Sequence, residues 1–471
     1  MAHDIDIISL RPRQSTITRP TGGCLTIKSI DTARLAIVDG VGADEPTSAP
    51  TRDTLWSAVL LLAAILLAAG MLKTVFSPLQ EAAKLDMSLS DFAISLVQGL
   101  ATGAPIALIS IPLAWVIDHG HRVRLLTALL ATCVVGTLWT GFATGLPSLF
   151  LARMLSATGA SCSVPVAISL VADLCAPDKR GRAIVVLGLG VAAGSAAAFA
   201  LGGWLLTVLA AHPLAALAGM ASWRATHLVL GVAGALLLFP LFILREPARH
   251  EVELRTADVR TTVRSLWAKR GFLVPLFAGQ IGVSMADTAA GIWATPVLIR
   301  SYHLQPGQFA GWVGVILLVS GVLGSVLGGL GADFGHKSGR RGGILIAAVI
   351  ATVLSAPTGL FPVMPTIAGF QLMFFLLLLS GTTTSIVAST TIAVLIPNEE
   401  RGACMAVFSV ISAIVGVSLA STIVTLGASL MGGEQHLAPA LATTGVVTSV
   451  ISLVGYILAM RRAPNSATDW G

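Results

Sequence analysis

The feature that most limits what this chain can fold into is a repeated long apolar run with at most one charge. Twelve such runs follow one another, near 55–76, 92–117, 125–144, 148–172, 183–209, 223–244, 272–299, 308–331, 342–361, 367–395, 403–427 and 441–460. Each approaches or exceeds the roughly 20 apolar residues that a helix needs to cross the hydrocarbon core of a bilayer. Where two runs nearly merge, "GLP" (145–147), "AHP" (211–213) and "LFPVMP" (360–365) punctuate them. Charged residues make up 11% of the chain and hydrophobic ones 55%, against about 25% charged in soluble domains. A water-soluble fold could not cover that much apolar surface, so the bilayer is the solvent. The reading is an all-α membrane protein of twelve transmembrane helices.

The few basic residues fall in alternate loops. With the first end in the cytoplasm, the inner loops and tail hold Arg122, Arg124, Lys179, Arg180, Arg182, seven residues in 245–270, Lys337, Arg340, Arg341, Arg401, Arg461 and Arg462. The outer loops and span ends hold little beyond Lys84, Arg224 and Arg300. This asymmetry predicts a multi-pass protein of the plasma (inner) membrane with both termini cytoplasmic. The net charge of +6 is therefore topological and does not point to nucleic acid. None of the five cysteines falls in a Cys-x-x-Cys pair, so neither a disulfide framework nor a metal site is expected, and no cofactor is implied. Residues 1–54 are polar and mixed, without a signal-type apolar stretch. They are expected to form a poorly ordered cytoplasmic extension.

The charged stretch 245–271 divides six spans (55–244) from six (272–460), and 461–471 is left as a cytoplasmic tail. The halves echo each other. "DHGHRVR" (118–124) follows span 2 as "DFGHKSGRR" (333–341) follows span 8, and "PDKRGRA" (177–183) follows span 4 as "PNEERGA" (397–403) follows span 10. A parallel repeat of this kind builds a central cavity between two bundles. With these loops, residues 55–460 resemble the major facilitator superfamily. "LSDFAISLVQG" (89–99), "ARMLSATGASCSVPVAISLVADLCAPDKRGRA" (152–183), "WATPVLIRSYHL" (293–304) and "IPNEERG" (396–402) are similar to its spinster-like branch. That branch is associated with movement of lysolipids and sphingosine-type lipids. The resemblance implies that Asp118 meets the first turn of span 11, where unpaired N–H groups favour an anion. It implies that Arg122 pairs with Asp173, and that these residues, with Arg180, Asp333, Arg340 and Arg401, form a cytoplasmic gate. The sequence departs from the family loop at Ala114, His119 and His121. The glycines of span 5, Gly190, Gly194 and Gly202, read as packing residues.

Three charges lie inside spans: Lys73, Arg153 and Asp287. An arginine near the middle of a membrane helix costs about 2.5–3.5 kcal/mol on insertion scales, so it needs a partner or a hydrated surface. The resemblance implies that spans 1, 4, 7 and 10 line the cavity, and all three charges are on those spans. Arg153 is accordingly expected to face the cavity, and Asp287 to pair with it or to carry a proton. Lys73 faces either the cavity or, by snorkelling, the outer interface. Gln280, Ser284 and Asp287 share one face of span 7, and Ser380, Thr384 and Thr391 form a second polar stripe on span 10. The family's span-4 pattern Arg-x-x-x-Gly-x-Gly-Glu is broken here, because Ala160 stands at the Glu position. The family's span-1 acid is also missing. Asp287 is then the one deep carboxylate, with His227 the next candidate for a proton.

The functional expectation is a monomeric secondary transporter for a small amphipathic anion: a lysolipid, a sphingoid phosphate or an organic acid. A drug-type proton antiporter and a transporter-like sensor that binds without flux are the alternatives. An enzyme would need clustered ligands or a nucleophile with its base, and no such pattern appears.

Overall fold

The structure is a computed structural model that describes residues 55–214, 217, 219–247, 259–464 and 469. The expected extension over 1–54, Cys24, residues 248–258 of the central loop and most of the tail beyond 464 lie outside the described residues. In a bilayer each segment must satisfy its own backbone polar groups, which favours helices. Twelve helices long and apolar enough to cross are present among the described residues. We number them α1 (Trp56–Asp86), α2 (Asp91–Ser110), α3 (Arg122–Phe142), α4 (Leu146–Leu174), α5 (Arg180–Ala211), α6 (Ser222–Ile243), α7 (Arg270–Arg300), α8 (Pro306–Lys337), α9 (Gly343–Val363), α10 (Ile367–Leu395), α11 (Asn398–Leu430) and α12 (Glu434–Arg462). The helix of α2 continues past its apolar window to His119, and a short helix, Val259–Ala268, precedes α7.

The starts are set by side chains that occupy free N–H groups. Ser90 accepts from Ala93 N–H, Thr366 from Gly369 N–H, and Gln305 forms a capping box with Gln308. The sequence reading ended span 1 at residue 76, but the helix resumes after a break at Val75 and runs to Asp86. Pro78 explains the break: it has no N–H to give to the Thr74 carbonyl four residues back.

Small residues bring helices together within each half. A Cβ added at Gly190 or Gly194 of α5 would run into the Ala63 and Leu67 carbonyls of α1. On α12, a Cβ at Gly455 would lie 2.6 Å from the Gly279 nitrogen of α7. The span-5 glycines thus act in packing. The halves meet through α5 against α8 and α2 against α11. At the second seam Gly99 and Gly103 leave room for Ser418 and Ser421, π-turns at Leu96–Leu100 and Ser412–Leu419 face each other, and the Ser421 hydroxyl donates to the Ser95 carbonyl (3.0 Å).

The start of α1 lies against the end of α4, where Leu55 N–H meets the Leu174 carbonyl. The loop before α9 lies beside the end of α12, where Arg341 Nε donates to the Ala463 carbonyl (2.8 Å). We refer to this as the termini end and to the opposite end as the far end.

Candidate functional site

A cavity of about 560 Å³ opens between α1, α2, α4, α5 and α11. Its walls are mostly aliphatic, with Leu66, Ile106, Leu113, Val164 and Met405 among them. Lys73 is its one charged lining residue among those described, and its ammonium donates to the Ser161 hydroxyl at 3.0 Å. Lys73 therefore turns into the cavity and does not snorkel to the interface. Ile117, Pro165 and Met405 place the cavity in the termini-end half. Spans 1 and 4 line it as the resemblance implies, but spans 7 and 10 do not.

Arg153 is not at the cavity wall. It is 1% exposed and reaches into the break of α1, where Nη2 donates to the Lys73 carbonyl (2.6 Å). Its guanidinium lies 5.1 Å from the centre of the Phe76 ring, a cation–π distance. Ser156, one turn along, donates more weakly to the Leu72 carbonyl (3.5 Å). The expectation of a cavity-facing arginine fails because a kinked neighbour offered it a backbone carbonyl and an aromatic face. Two of its nitrogens, Nε and Nη1, have no hydrogen-bond partner among the described residues. His227 lies beside the same ring, at 5.9 Å, with Nδ1 on the Trp223 carbonyl (2.7 Å) and Nε2 without a partner.

Asp287 belongs to a separate cluster in the second six helices. Its carboxylate rests on Gly381 of α10, where any Cβ would collide with it, and its buried Oδ1 has no partner. The expected pairing with Arg153 is absent: each charge sits within its own half. Gln280 Nε2 donates to the Ser284 hydroxyl (3.3 Å), and Gln280 Oε1 accepts from the Tyr456 hydroxyl (2.6 Å). Thr384 donates to the Gly381 carbonyl and Thr391 to that of Val387, both within α10. The stripe on α7 is turned toward α10 (Asp287 on Gly381), α11 (Ser284 beside Gly416) and α12 (Gln280 to Tyr456), and none of its members lines the cavity. Tyr456 was missed in the sequence, although a tyrosine in an apolar span, one of two in the chain, is a signal that its hydroxyl has a partner.

The two ends differ. At the far end Arg300 of α7 grips Glu81 of α1 (2.6 and 3.0 Å) and Asp91 of α2 (2.7 Å), and Lys84 bridges Asp91 (2.6 Å) and Glu434 of α12 (2.5 Å). The Asp91 N–H also donates to Glu434 (2.7 Å), and Gln80 reaches the Ile292 carbonyl (2.5 Å). This network ties the halves together. Sequence reasoning registered Lys84 and Arg300 only as sparse outer cations; the acids at neighbouring span ends were the unused signal.

At the termini end Arg122 pairs with Asp173, the contact the resemblance implies, and its Nε donates to Glu246 (3.0 Å). Glu246, which the sequence did not single out, accepts from the backbone N–H groups of Arg122 (3.2 Å) and Val123 (2.8 Å) and so caps α3. Lys269 pairs with Glu400 (2.6 Å). Asp118 and Asp333 are exposed and make no hydrogen bond or ion pair with the described residues, so the contact expected between Asp118 and α11 is not made in this conformation. Arg340 is exposed, Arg401 bonds to Asn398 in its own first turn (3.1 Å), and Arg180 opens α5 half-buried. Among the described residues, no ion pair joins the halves at this end.

Known proteins share this architecture. A bacterial homologue of the human lysosomal transporter Spinster, inward-facing and unoccupied, superposes with a TM-score of 0.74 at 21% identity, over 88% of this chain and 98% of that one. A D-xylose–proton symporter does so with a TM-score of 0.63 at 16% identity, over 85% and 97%. In sequence, an MFS-type efflux pump of Mycolicibacterium smegmatis is 26% identical over 86% of this chain and 93% of its own length. A probable 4-methylmuconolactone transporter of Cupriavidus pinatubonensis is 24% identical over 70% and 75%. With twelve spans, two six-helix halves around a cavity and a match of residues 60–421 to the family model of the major facilitator superfamily, the chain belongs to that superfamily of membrane transporters.

Proposed function

We propose that the protein is a secondary transporter that moves an amphipathic molecule with one negative group by alternating access. The observation that carries this reading is the cavity itself: an aliphatic chamber whose one charged lining residue is Lys73, set beside Ser161. An ammonium and a hydroxyl suit a carboxylate or phosphate, and the aliphatic walls suit an acyl or aryl body. Lysolipids, sphingoid phosphates and organic acids all fit this description, and the sequence resemblance to the spinster-like branch favours the lipid end of that range. Arg153 supports the site indirectly, by holding the carbonyl of Lys73 and thus the break from which Lys73 projects.

From the positive-inside asymmetry we assign the termini end to the cytoplasm. The far-end network then closes the outer gate, and the cavity belongs to an inward-facing state. A proton coupled through a side chain is assigned to Asp287, whose carboxylate has no ion pair among the described residues. A drug-type proton antiporter is the second reading, favoured by the likeness to an efflux pump.

One liposome experiment tests the assignment. Purified protein is given lysophosphatidate, its choline ester and a lipophilic cation, with and without a pH gradient. Uptake of the anion is expected, with Lys73→Ala weakening its binding about tenfold or more and Asp287→Asn removing any pH-driven accumulation. Preference for the cation, or undiminished anion binding by Lys73→Ala, overturns the anion reading. Binding without flux identifies a sensor.

A further inference from the structure

We infer that a basic recess at the termini end of α7 and α12, separate from the transport cavity, seats the phosphate of an anionic phospholipid. The recess, about 350 Å³, is formed by the ends of both helices and the loop before α9, and its charged lining is Lys269, Arg341, Arg461 and Arg462. All four are cations. Lys269 is answered by Glu400 (2.6 Å), whereas the three arginines have no carboxylate within ion-pair distance among the described residues. Two of them are already held in place: Arg341 by the Ala463 carbonyl (2.8 Å) and Arg462 by the Gly271 carbonyl (3.2 Å). Each of these bonds uses one N–H and leaves the rest of the fork for an outside acceptor, the arrangement that suits a phosphate.

A solvated patch produced by the positive-inside bias would share the charge but not what lies beside it. Trp267 is 67% exposed, with Arg270 at 5.6 Å from its ring, the pairing found at headgroup depth. From the recess an apolar track runs along the membrane-facing surface. Val274 is 57% exposed one turn from Gly271, and Leu458, Val454 and Ile451 follow Arg462 at helical spacing on α12, with Val454 51% exposed. The two helices are pressed together at Gly279 and Gly455, so the track is a shallow seam between them. A phosphate over an apolar seam fits a diacyl lipid better than a soluble phosphate, and basic recesses between spans are a known form of such sites.

The test uses the full-length protein in detergent, with thermal stability and lipid retention in native mass spectrometry as readouts. Phosphatidylglycerol, phosphatidylcholine and sn-glycerol 3-phosphate are added separately. Phosphatidylglycerol is expected to raise the melting temperature and to remain bound, while the other two do neither. The variant R341Q/R461Q/R462Q is expected to lose at least tenfold in apparent affinity. Arg461→Glu makes the same point where the triple variant fails to fold, because the Arg461 side chain has no hydrogen bond or ion pair among the described residues to lose; at least a threefold loss is expected. Arg124→Gln, at another exposed arginine, is expected to leave retention unchanged. Equal stabilisation by phosphatidylcholine, or unchanged retention in Arg461→Glu, overturns the site. A response to glycerol phosphate equal to that of the lipid overturns the lipid as its source.

Discussion

The far end and the termini end of this molecule solve the same problem in opposite ways. At the far end, five charged side chains drawn from both halves are bonded to one another. At the termini end, among the described residues, each half keeps its charges to itself: Arg122 with Asp173 and Glu246 in the first, Lys269 with Glu400 in the second. The difference locates where conformational free energy is held. A gate of ion pairs across an interface is a contact that either exists or does not, which makes it a two-state element. A charge paired within one half contributes equally whether the halves are apart or together. The far end thus favours the observed arrangement; on the gate reading that the family resemblance implies, Asp118 at the termini end would favour the opposite one.

The largest expected effect therefore comes from Arg300. Its guanidinium neutralises two carboxylates, of which Asp91 is 4% exposed. Removing one partner of a buried pair costs about 3–5 kcal/mol; Arg300 is itself 25% exposed, and solvent screening reduces the figure to about 2 kcal/mol. Arg300→Ala should shift the balance between states about thirtyfold toward an open far end. A cysteine at Gly291 provides the readout, since an added Cβ there meets no neighbouring atom. Its labelling from the far side should rise at least tenfold in the Arg300→Ala background. An unchanged rate means that the network is decoration and that packing alone closes this end.

A smaller effect is expected at Asp118. The residue is exposed and its side chain has no partner among the described residues, so Asp118→Asn should leave thermal stability within about 0.5 kcal/mol. If it latches the termini end in the opposite state, the loss appears only in the cycle: transport should fall about three- to tenfold while far-side labelling at position 291 decreases. Flux equal to the unsubstituted protein removes Asp118 from the gate and leaves no identified ionic contact between the halves at the termini end.

The contrast between the ends also marks how far the sequence could be read. The twelve spans were legible because the bilayer imposes a length and a polarity on each one. The pair Arg122–Asp173 was implied by a loop pattern that survives in "DHGHRVR". The far-end network left no such trace: Lys84 and Glu434 are 350 positions apart, and its members come from four helices. Arg153 shows the limit differently. Its type and depth announced that it must have a partner, but the partner is a backbone carbonyl exposed by a break 80 residues earlier, and a carbonyl has no residue identity to read. For Asp287 the periodic stripe was visible, while the direction it faces was fixed by Gly381 and Tyr456 on two other helices.

The smallest expected effect on transport, and the sharpest check on the comparison, belongs to Glu246. It works entirely within the first half, so its loss should weaken the protein without moving the gates. Burial pushes its carboxyl upward, but the Val123 N–H and the bonds from Arg122 outweigh this and hold it below the ordinary value of 4.5. A carboxyl lowered in the folded protein contributes stability at pH above its unfolded value and loses it as pH falls through the folded one. Glu246→Gln should therefore cost about 1 kcal/mol at pH 7, seen as a lower melting temperature. That gap should narrow as the pH is taken below 4.5, because the unsubstituted carboxylate is then being protonated. Far-side labelling and transport per folded molecule should change less than about twofold, the scale of a contact that does not distinguish the two states. A gap that stays constant through acidification would assign the stabilisation to shape and not to the carboxylate charge. A large change in labelling would mean that the capped start of α3 takes part in the gate, and that the termini end is not as divided between its halves as its ion pairs indicate.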